Sequence, residues 1–133
     1  MLTFAIIGAG SRGRYAFGEM ISRRKDAKII AMADPNTKRM EIAAQSLGRG
    51  INLYPSAEAL FQHETPDAVI ITSPDYTHEE NTLLAIRHKI PVLVDKPLAT
   101  TTAACLRIIQ EAKKYDVPVS IGFNLKIGRA SCR

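Results

Sequence analysis

Short apolar runs alternate with segments of helical periodicity along most of this chain, and this alternation most restricts its possible folds. The runs are rich in Ile and Val, and most of them do not have a polar residue at every second position. This pattern is typical of strands buried on both faces of a parallel sheet. The predicted strands are residues 2–7, 28–33, 51–54, 68–71, 91–94 and 117–121, of which 51–54 is the weakest. Helical connections between parallel strands require right-handed crossovers. The sequence therefore predicts an α/β fold, a doubly wound parallel sheet of about six strands with helices on both faces.

Amphipathic helices are predicted between these strands. One is marked by apolar residues at i, i+3, i+4 and i+7, namely Met40, Ala43, Ala44 and Leu47. Gly48 follows it where a helix C-cap is expected. Further apolar stripes predict helices over residues 12–23, 83–90 and 105–112. The spacing of Thr77 and Glu80 predicts a capping box at the start of the 83–90 helix.

The composition argues against several classes of function. The formal net charge is +5, but the basic residues are scattered and form no stripe interleaved with aromatics, so nucleic-acid binding is not expected. No apolar run could span a bilayer, and the strand directly after Met1 leaves no room for a secretory signal. We therefore expect a cytoplasmic protein with no membrane partner. Cys105 and Cys132 lack metal-ligand spacing, and no metal site is predicted.

A glycine pattern follows the first predicted strand and opens the first predicted helix. Gly8, Gly10 and Gly13 have the G-x-G-x-x-G spacing, with Ser11 and Arg12 between the last two glycines. In this context the first glycine permits a tight turn, the second lets a diphosphate approach the backbone, and the third lets helix and strand pack closely. The helix start adds free N–H groups and the positive end of a dipole. We predict that these five residues bind a dinucleotide.

An acidic residue, Asp34, comes directly after the second predicted strand, 21 residues after Gly13. A carboxylate there can accept hydrogen bonds from the adenosine ribose hydroxyls, and it would repel a 2′-phosphate, which favours NAD. It could instead be a helix N-terminal carboxylate before Pro35. Lys38 and Arg39 follow one turn later and could offset the repulsion, so NADP stays open. We predict NAD as the cofactor, with Asp34 and Arg39 near its adenosine.

Polar residues follow the fourth predicted strand. Thr72, Ser73 and Pro74 come directly after residues 68–71, and His78 falls in the first turn of the next helix. Ligands of doubly wound sheets bind outside the carboxyl ends of the strands, so we expect all four residues to contact the cofactor. For His78, a partly exposed position at a helix start is an equally good interpretation.

Asp95 comes directly after the fifth predicted strand and is followed by Lys96 and Pro97. A lysine at the carboxyl end of a buried strand extends into the crevice or into solvent. A cation in the crevice could bind a substrate hydroxyl or the nicotinamide ribose and stabilise a developing alkoxide. The alternative is an ordinary surface lysine. We predict that Asp95 and Lys96 lie at the cofactor and that Lys96 is catalytic.

Taken together, residues 1–126 resemble the N-terminal domain of the Gfo/Idh/MocA oxidoreductase family. The resemblance rests on the motifs above and on Gly122-Phe123-Asn124, and the Lys96–Pro97 pair distinguishes this family from other Rossmann proteins. It implies an NAD(P)-binding Rossmann domain in which Asn124 also lies at the cofactor. The family usually has Glu where this chain has Asp95.

The resemblance implies oxidation of a secondary alcohol, usually of a sugar or cyclitol, by hydride transfer to a nicotinamide. Lys96 would orient or polarise the substrate hydroxyl. The general base would come from a second, substrate-binding α/β domain that this sequence lacks, so the chain alone is expected to be inactive. Subunit contacts in the family often involve that domain, and the full-length protein is expected to be a homo-oligomer. Residues 127–133 match the translation of a common sequencing adapter and are interpreted as a non-native tail.

Two other functions fit part of the pattern. A dinucleotide-sensing regulatory module would use the glycine turn and Asp34 but would not need Lys96. A methyltransferase also has a glycine-rich first turn and an acidic residue after the second strand. Methyltransferases usually lack a glycine at the position of Gly13, however, and Lys96 would have no role in one.

Overall fold

A six-stranded, all-parallel sheet forms the centre of the computed structural model, which describes residues 1–122. Its strands are β1 (Leu2–Ile7), β2 (Ala27–Ala33), β3 (Asn52–Tyr54), β4 (Ala68–Ile71), β5 (Val92–Asp95) and β6 (Val119–Gly122). Their order across the sheet is β3-β2-β1-β4-β5-β6. The chain thus starts in the middle, winds to one edge, returns and winds to the other, which is the strand order of a Rossmann fold. The expected sheet is confirmed, and each predicted strand boundary lies within two residues of the observed one.

Helical elements make all five connections. They are a π-helical segment (Arg12–Gly18) that runs into α1 (Glu19–Ser22), then α2 (Thr37–Leu47), α3 (Ala57–His63), α4 (His78–Arg87) and α5 (Thr102–Tyr115). A single 3-10 turn, Asp75–Thr77, precedes α4. Among the helices of residues 1–122, none has the length and apolar character needed to cross a membrane.

The side chains of each strand alternate between two apolar cores, one on each face of the sheet. In β1, Ala5 and Ile7 point into the core formed with α3, α4 and α5, whereas Ile6 points into the core formed with the π-helical segment, α1 and α2. Helices therefore cover both faces, as expected for a doubly wound sheet. Burial of a side chain such as Ile6, which is fully buried, contributes about 1.5–3 kcal/mol to stability.

The helix α3 was not predicted from the sequence. It has only seven residues, and its buried Ala57, Leu60 and Phe61 form a stripe of a single turn, which is too short to identify a helix by periodicity. Its start is set by Ser56, whose hydroxyl accepts a hydrogen bond from the backbone N–H of Ala59 at 3.1 Å. The helix is thus defined by a capping residue and by burial of one face against the sheet.

The first helix differs from the regular one predicted over residues 12–23. Its first half has i→i+5 hydrogen bonds, and α1 covers only its last turn. Gly18 lies so close to α2 that a Cβ there would be 2.6 Å from the Leu47 side chain. Close packing leaves no room for a side chain at Gly13 or Gly18. Glycine also has low helix propensity, so these two residues weaken the regular helix expected here.

The predicted capping box of Thr77 and Glu80 is wrong. Thr77 has helical backbone angles and makes no capping bond to α4. Its hydroxyl instead bonds to the Ser73 hydroxyl at 2.7 Å and to the Pro74 carbonyl at 2.6 Å. These bonds belong to the 3-10 turn, a local structure that competes with a capping box for the same hydroxyl.

The hydroxyl of Thr82 in α4 is fully buried and finds no hydrogen-bond partner within residues 1–122. Replacement by the isosteric apolar side chain, Thr82→Val, should raise the free energy of unfolding by about 1 kcal/mol, because it removes an unsatisfied buried polar group. Chemical denaturation measures the change. The matched control Thr82→Ser keeps the hydroxyl and loses a methyl group, so it should be less stable than the wild type. A Thr82→Val protein of lower stability would contradict the prediction.

The Tyr54 hydroxyl at the end of β3 donates a short hydrogen bond to Glu64, which also accepts from Asn52 at 2.8 Å. The bond to Glu64 is the main reason that the pKa of Tyr54 is raised to about 12, and partial burial adds to it. Because the folded state favours the neutral phenol, this stabilisation is complete below the ordinary pKa and is lost as the pH rises toward 12.

We therefore expect the stability difference between the wild type and Tyr54→Phe to be constant at neutral pH. The difference should shrink steadily above about pH 10, where the unfolded phenol ionises. Denaturation curves of both proteins at a series of alkaline pH values measure it. A difference that stays constant up to pH 12 would show that the bond does not affect the phenol.

Candidate dinucleotide-binding site

The turn after β1 has the form expected for a diphosphate-binding loop. Gly8 has φ of +101°, in the region that side chains avoid, and a Cβ there would lie 2.4 Å from the backbone nitrogen of Ser73. A Cβ on Gly13 would lie 2.2 Å from the carbonyl oxygen of Gly8. Both positions are closed to any side chain, so the turn is held tightly against the sheet and the loop after β4.

The middle glycine is different. A Cβ on Gly10 would have the Arg39 side chain, at 4.0 Å, as its nearest neighbour. Ser11 beside it is exposed, and its side chain makes no capping bond to the helical segment that follows. The first N–H groups of a helix have no acceptors within it. The backbone of Gly10 and Ser11 is therefore open to a ligand, and this cradle fits a diphosphate.

Asp34 lies directly beneath this turn. Its side chain is buried, and it accepts hydrogen bonds from the backbone N–H groups of Ala9 and Asn36, each at 2.7 Å. The Arg39 guanidinium approaches both carboxylate oxygens, at 3.0 and 3.2 Å. Asn36, not Asp34, caps α2, with its side chain accepting from the Arg39 N–H at 3.0 Å. Asp34 thus organises the glycine turn and the start of α2, and its contact with a ribose stays a prediction.

The loop after β4 packs onto the glycine turn. The Thr72 hydroxyl donates to the carbonyl of Gly8 at 2.8 Å. The Ser73 hydroxyl accepts from Asn81 at 3.0 Å, and Pro74 is exposed next to it. Thr72 therefore holds the glycine turn in place, while Ser73 and Pro74 border the open crevice.

His78 is fully inside the protein, with 1% of its surface exposed, so the partly exposed position weighed from the sequence is wrong. Its Nδ1 lies 2.6 Å from the carbonyl oxygen of Pro97, and its Nε2 lies 2.9 Å from that of Ser73. The ring therefore links the loop after β4 to the loop after β5. With both ring nitrogens against these carbonyls, His78 can affect a cofactor only through the two loops.

An ion pair joins the glycine turn to the end of β5. Arg12 donates from Nε and Nη2 to the two oxygens of Asp95, both at 2.9 Å. The hydrogen bond to Asp95 raises the pKa of Arg12. Asp95 also accepts from the backbone N–H of Lys96 at 3.1 Å. Lys96 is exposed, and its ammonium forms no ion pair within the described chain, so the cation is available at the carboxyl edge of the sheet.

A cavity of about 820 Å³ opens at the carboxyl ends of β1, β2 and β4. Five of the predicted residues line it, namely Gly8, Asp34, Arg39, Ser73 and Pro74. Tyr76, 79% exposed, stands at its edge and was not predicted to have a role. An exposed aromatic ring within a loop after a central strand is the signal that could have identified it.

Some predictions concern residues outside 1–122. Asn124, the domain boundary at residue 126 and the tail 127–133 are not among the described residues. Within the described range, no cluster of His, Cys, Asp and Glu side chains could hold a metal ion.

Sequence comparison identifies relatives for nearly the whole described chain. The family model "Oxidoreductase family, NAD-binding Rossmann fold", Gfo/Idh/MocA, matches residues 2–123. The inositol 2-dehydrogenase/D-chiro-inositol 3-dehydrogenase of Halalkalibacterium halodurans is 32% identical over 123 residues, which is 92% of this chain and 35% of that protein. The chain therefore spans about a third of the length of the relatives that it matches.

Solved structures give the same result. A myo-inositol dehydrogenase from Lactobacillus casei, in complex with NAD(H) and myo-inositol, superposes with a TM-score of 0.85 at 25% identity, over 92% of this chain and 36% of that one. An oxidoreductase from Agrobacterium radiobacter, in complex with NAD⁺, L-tartaric acid and magnesium, gives a TM-score of 0.79 at 28% identity, over 90% and 34%. The chain belongs to the Gfo/Idh/MocA oxidoreductases and forms the NAD-binding Rossmann fold of that family.

Proposed function

We propose that this chain is the dinucleotide-binding part of an oxidoreductase that transfers hydride between a nicotinamide and a secondary alcohol of a sugar or cyclitol. The observation that carries the proposal is the open backbone at Gly10, set between Gly8 and Gly13, which admit no side chain. A turn of this form serves a ligand that must touch the main chain. The relatives that act on inositol support the cyclitol class of substrate.

The chain binds the diphosphate and the adenosine of the dinucleotide with different groups. Gly10 and Ser11, at the start of the helical segment, hold the diphosphate with backbone N–H groups and with the positive end of the helix dipole. The adenosine lies in the cavity between Asp34 and the loop of Ser73 and Pro74. The nicotinamide, when bound, accepts or donates the hydride.

Lys96 provides the catalytic cation of this part of the protein. Its ammonium, unpaired within residues 1–122, contacts the substrate hydroxyl, orients it toward the nicotinamide and stabilises negative charge as the proton leaves. The Arg12–Asp95 pair fixes the strand end that carries Lys96 relative to the diphosphate turn. The proton passes to a base outside this chain, in a second domain.

The remaining expectations from the sequence belong to the same proposal. These are a full-length protein with a substrate domain, assembly as a homo-oligomer and a cytoplasmic location. Residues 127–133 are proposed to be a non-native tail.

Two glycine variants test the binding site. Gly10→Ala should fold normally, because its new methyl group meets nothing closer than 4.0 Å, yet it should weaken NADH binding at least tenfold by blocking close approach to the backbone. Gly13→Ala should instead lower the melting temperature, because its methyl group would overlap the Gly8 carbonyl. NADH fluorescence titration and thermal melts separate the two effects. Normal NADH binding by folded Gly10→Ala would refute the site.

The chain alone should bind dinucleotide weakly and reduce no NAD⁺ with myo-inositol. Hydride transfer requires that the cofactor, the substrate and a general base are held together in a reactive geometry. This chain provides only the cofactor site and the Lys96 cation. Absorbance of NADH at saturating myo-inositol measures turnover, with the Lactobacillus casei enzyme as the positive control. Steady NADH formation by the purified chain would show that no second domain is needed.

A further inference from the structure

We propose that the buried ring of His78 is an imidazolium, and that its two N–H groups clamp the loop after β4 to the loop after β5. His78 then acts as a positioning residue whose effect depends on pH. The charge of the ring follows from the fold alone, whereas its effect on a bound dinucleotide rests on the proposed function.

The two ring nitrogens of His78 meet hydrogen-bond acceptors and no donors. Nδ1 lies 2.6 Å from the carbonyl oxygen of Pro97, and Nε2 lies 2.9 Å from that of Ser73. A carbonyl oxygen can only accept a hydrogen bond, so each contact requires an N–H on the ring. A neutral imidazole carries one N–H and one lone pair, whereas an imidazolium carries two N–H groups. Only the protonated ring satisfies both contacts.

A neutral ring would leave one of the two contacts repulsive. In either tautomer, a nitrogen lone pair would face a carbonyl lone pair, at Pro97 or at Ser73. The ring is 1% exposed, and a buried polar group without a partner is costly. Turning the ring over would place carbon atoms at both positions and lose both bonds.

Two features oppose a positive charge on this ring, and carboxylates beside it offset them. Burial disfavours the charged form, and His78 is the first residue of α4, where the helix dipole is positive. The first turn of α4 also contains Glu79 and Glu80, and the 3-10 turn before it contains Asp75. Negative charges nearby favour a cation.

The other charged side chains around the ring come from two neighbouring elements. Asp95 ends β5 and is followed by Lys96, and Arg107 lies on α5. Asp95 pairs with Arg12, and Arg107 pairs with Glu79. None of these side chains bonds to the ring, whose polar partners within residues 1–122 are the two carbonyls. The proton on the ring therefore acts on the main chain of the two loops.

Loss of the second proton releases one of these loops. Ser73 borders the large cavity, and Pro97 follows directly after Lys96. With one contact broken, the two loops no longer share an anchor, so the site is less ordered before a ligand binds. A ligand that must order its site binds more weakly. We therefore expect the affinity for NADH to fall as the pH rises.

Nuclear magnetic resonance of the whole 133-residue chain, with isotopically labelled histidine, tests the charge directly. At about pH 7, where a free histidine is mostly neutral, both ring nitrogens of His78 should carry a proton. His78→Phe identifies the signals by their loss, and the exposed His63 and His88 provide internal references. A single protonated ring nitrogen in the folded wild type would overturn the inference, whether or not the variant folds.

The pH profile of NADH binding, measured by fluorescence titration, tests the clamp. The wild type should lose at least about threefold in affinity between about pH 6 and about pH 9. His78→Phe keeps a ring without either donor, so it should bind weakly at every pH and show no such fall. The matched control His88→Gln removes an exposed imidazole at the other end of α4 and should keep the wild-type profile. Circular dichroism confirms that each variant is folded.

The outcomes separate this inference from the proposed function. If NADH binds at no pH, the proposed function fails, and the resonances still decide the charge of His78. If NADH binds and the ring carries one proton, the inference fails and the proposed function stands. An affinity that does not change with pH, or a fall that persists in folded His78→Phe, would refute the clamp.

Discussion

The structure depends on the close contact between the glycine turn and the loop that follows β4. The backbone of Gly13 lies against the carbonyl of Gly8, and Gly8 lies against Ser73, at distances that exclude even a methyl group. The Thr72 hydroxyl closes this contact by bonding to the Gly8 carbonyl. Because β1 and β4 are adjacent in the sheet, the contact forms where the strand order reverses. The open surface at Gly10 exists because its two neighbouring glycines are held in this way.

Charge is arranged in pairs at this edge of the sheet. Asp34 at the end of β2 meets Arg39, and Asp95 at the end of β5 meets Arg12. Each carboxylate also accepts a backbone N–H, so it positions a loop as well as a cation. The cations are the more exposed partners in both pairs, with 49% and 52% of their side chains accessible. A ligand at this edge therefore meets guanidinium groups before carboxylates, which suits a phosphate-bearing molecule.

Much of the fold could be predicted from the sequence because its signals are local. Apolar strand runs and the glycine pattern are read within a few residues, and they gave the sheet and the turn. The bond of Thr77 to Ser73 could not be predicted, because a capping box uses the same hydroxyl. The Arg12–Asp95 pair could not be predicted either, since 83 residues separate its members and only the folded sheet brings them together. The burial of His78 likewise depends on a loop 19 residues away.

His78 has a mechanical consequence for the site. One rigid ring touches the carbonyl of Ser73 with one nitrogen and the carbonyl of Pro97 with the other. These two contacts connect the loops after β4 and β5 through a side chain that is 1% exposed. The loop that borders the large cavity and the loop that follows Lys96 are therefore coupled through one buried side chain, at the edge of the sheet where the glycine turn also lies.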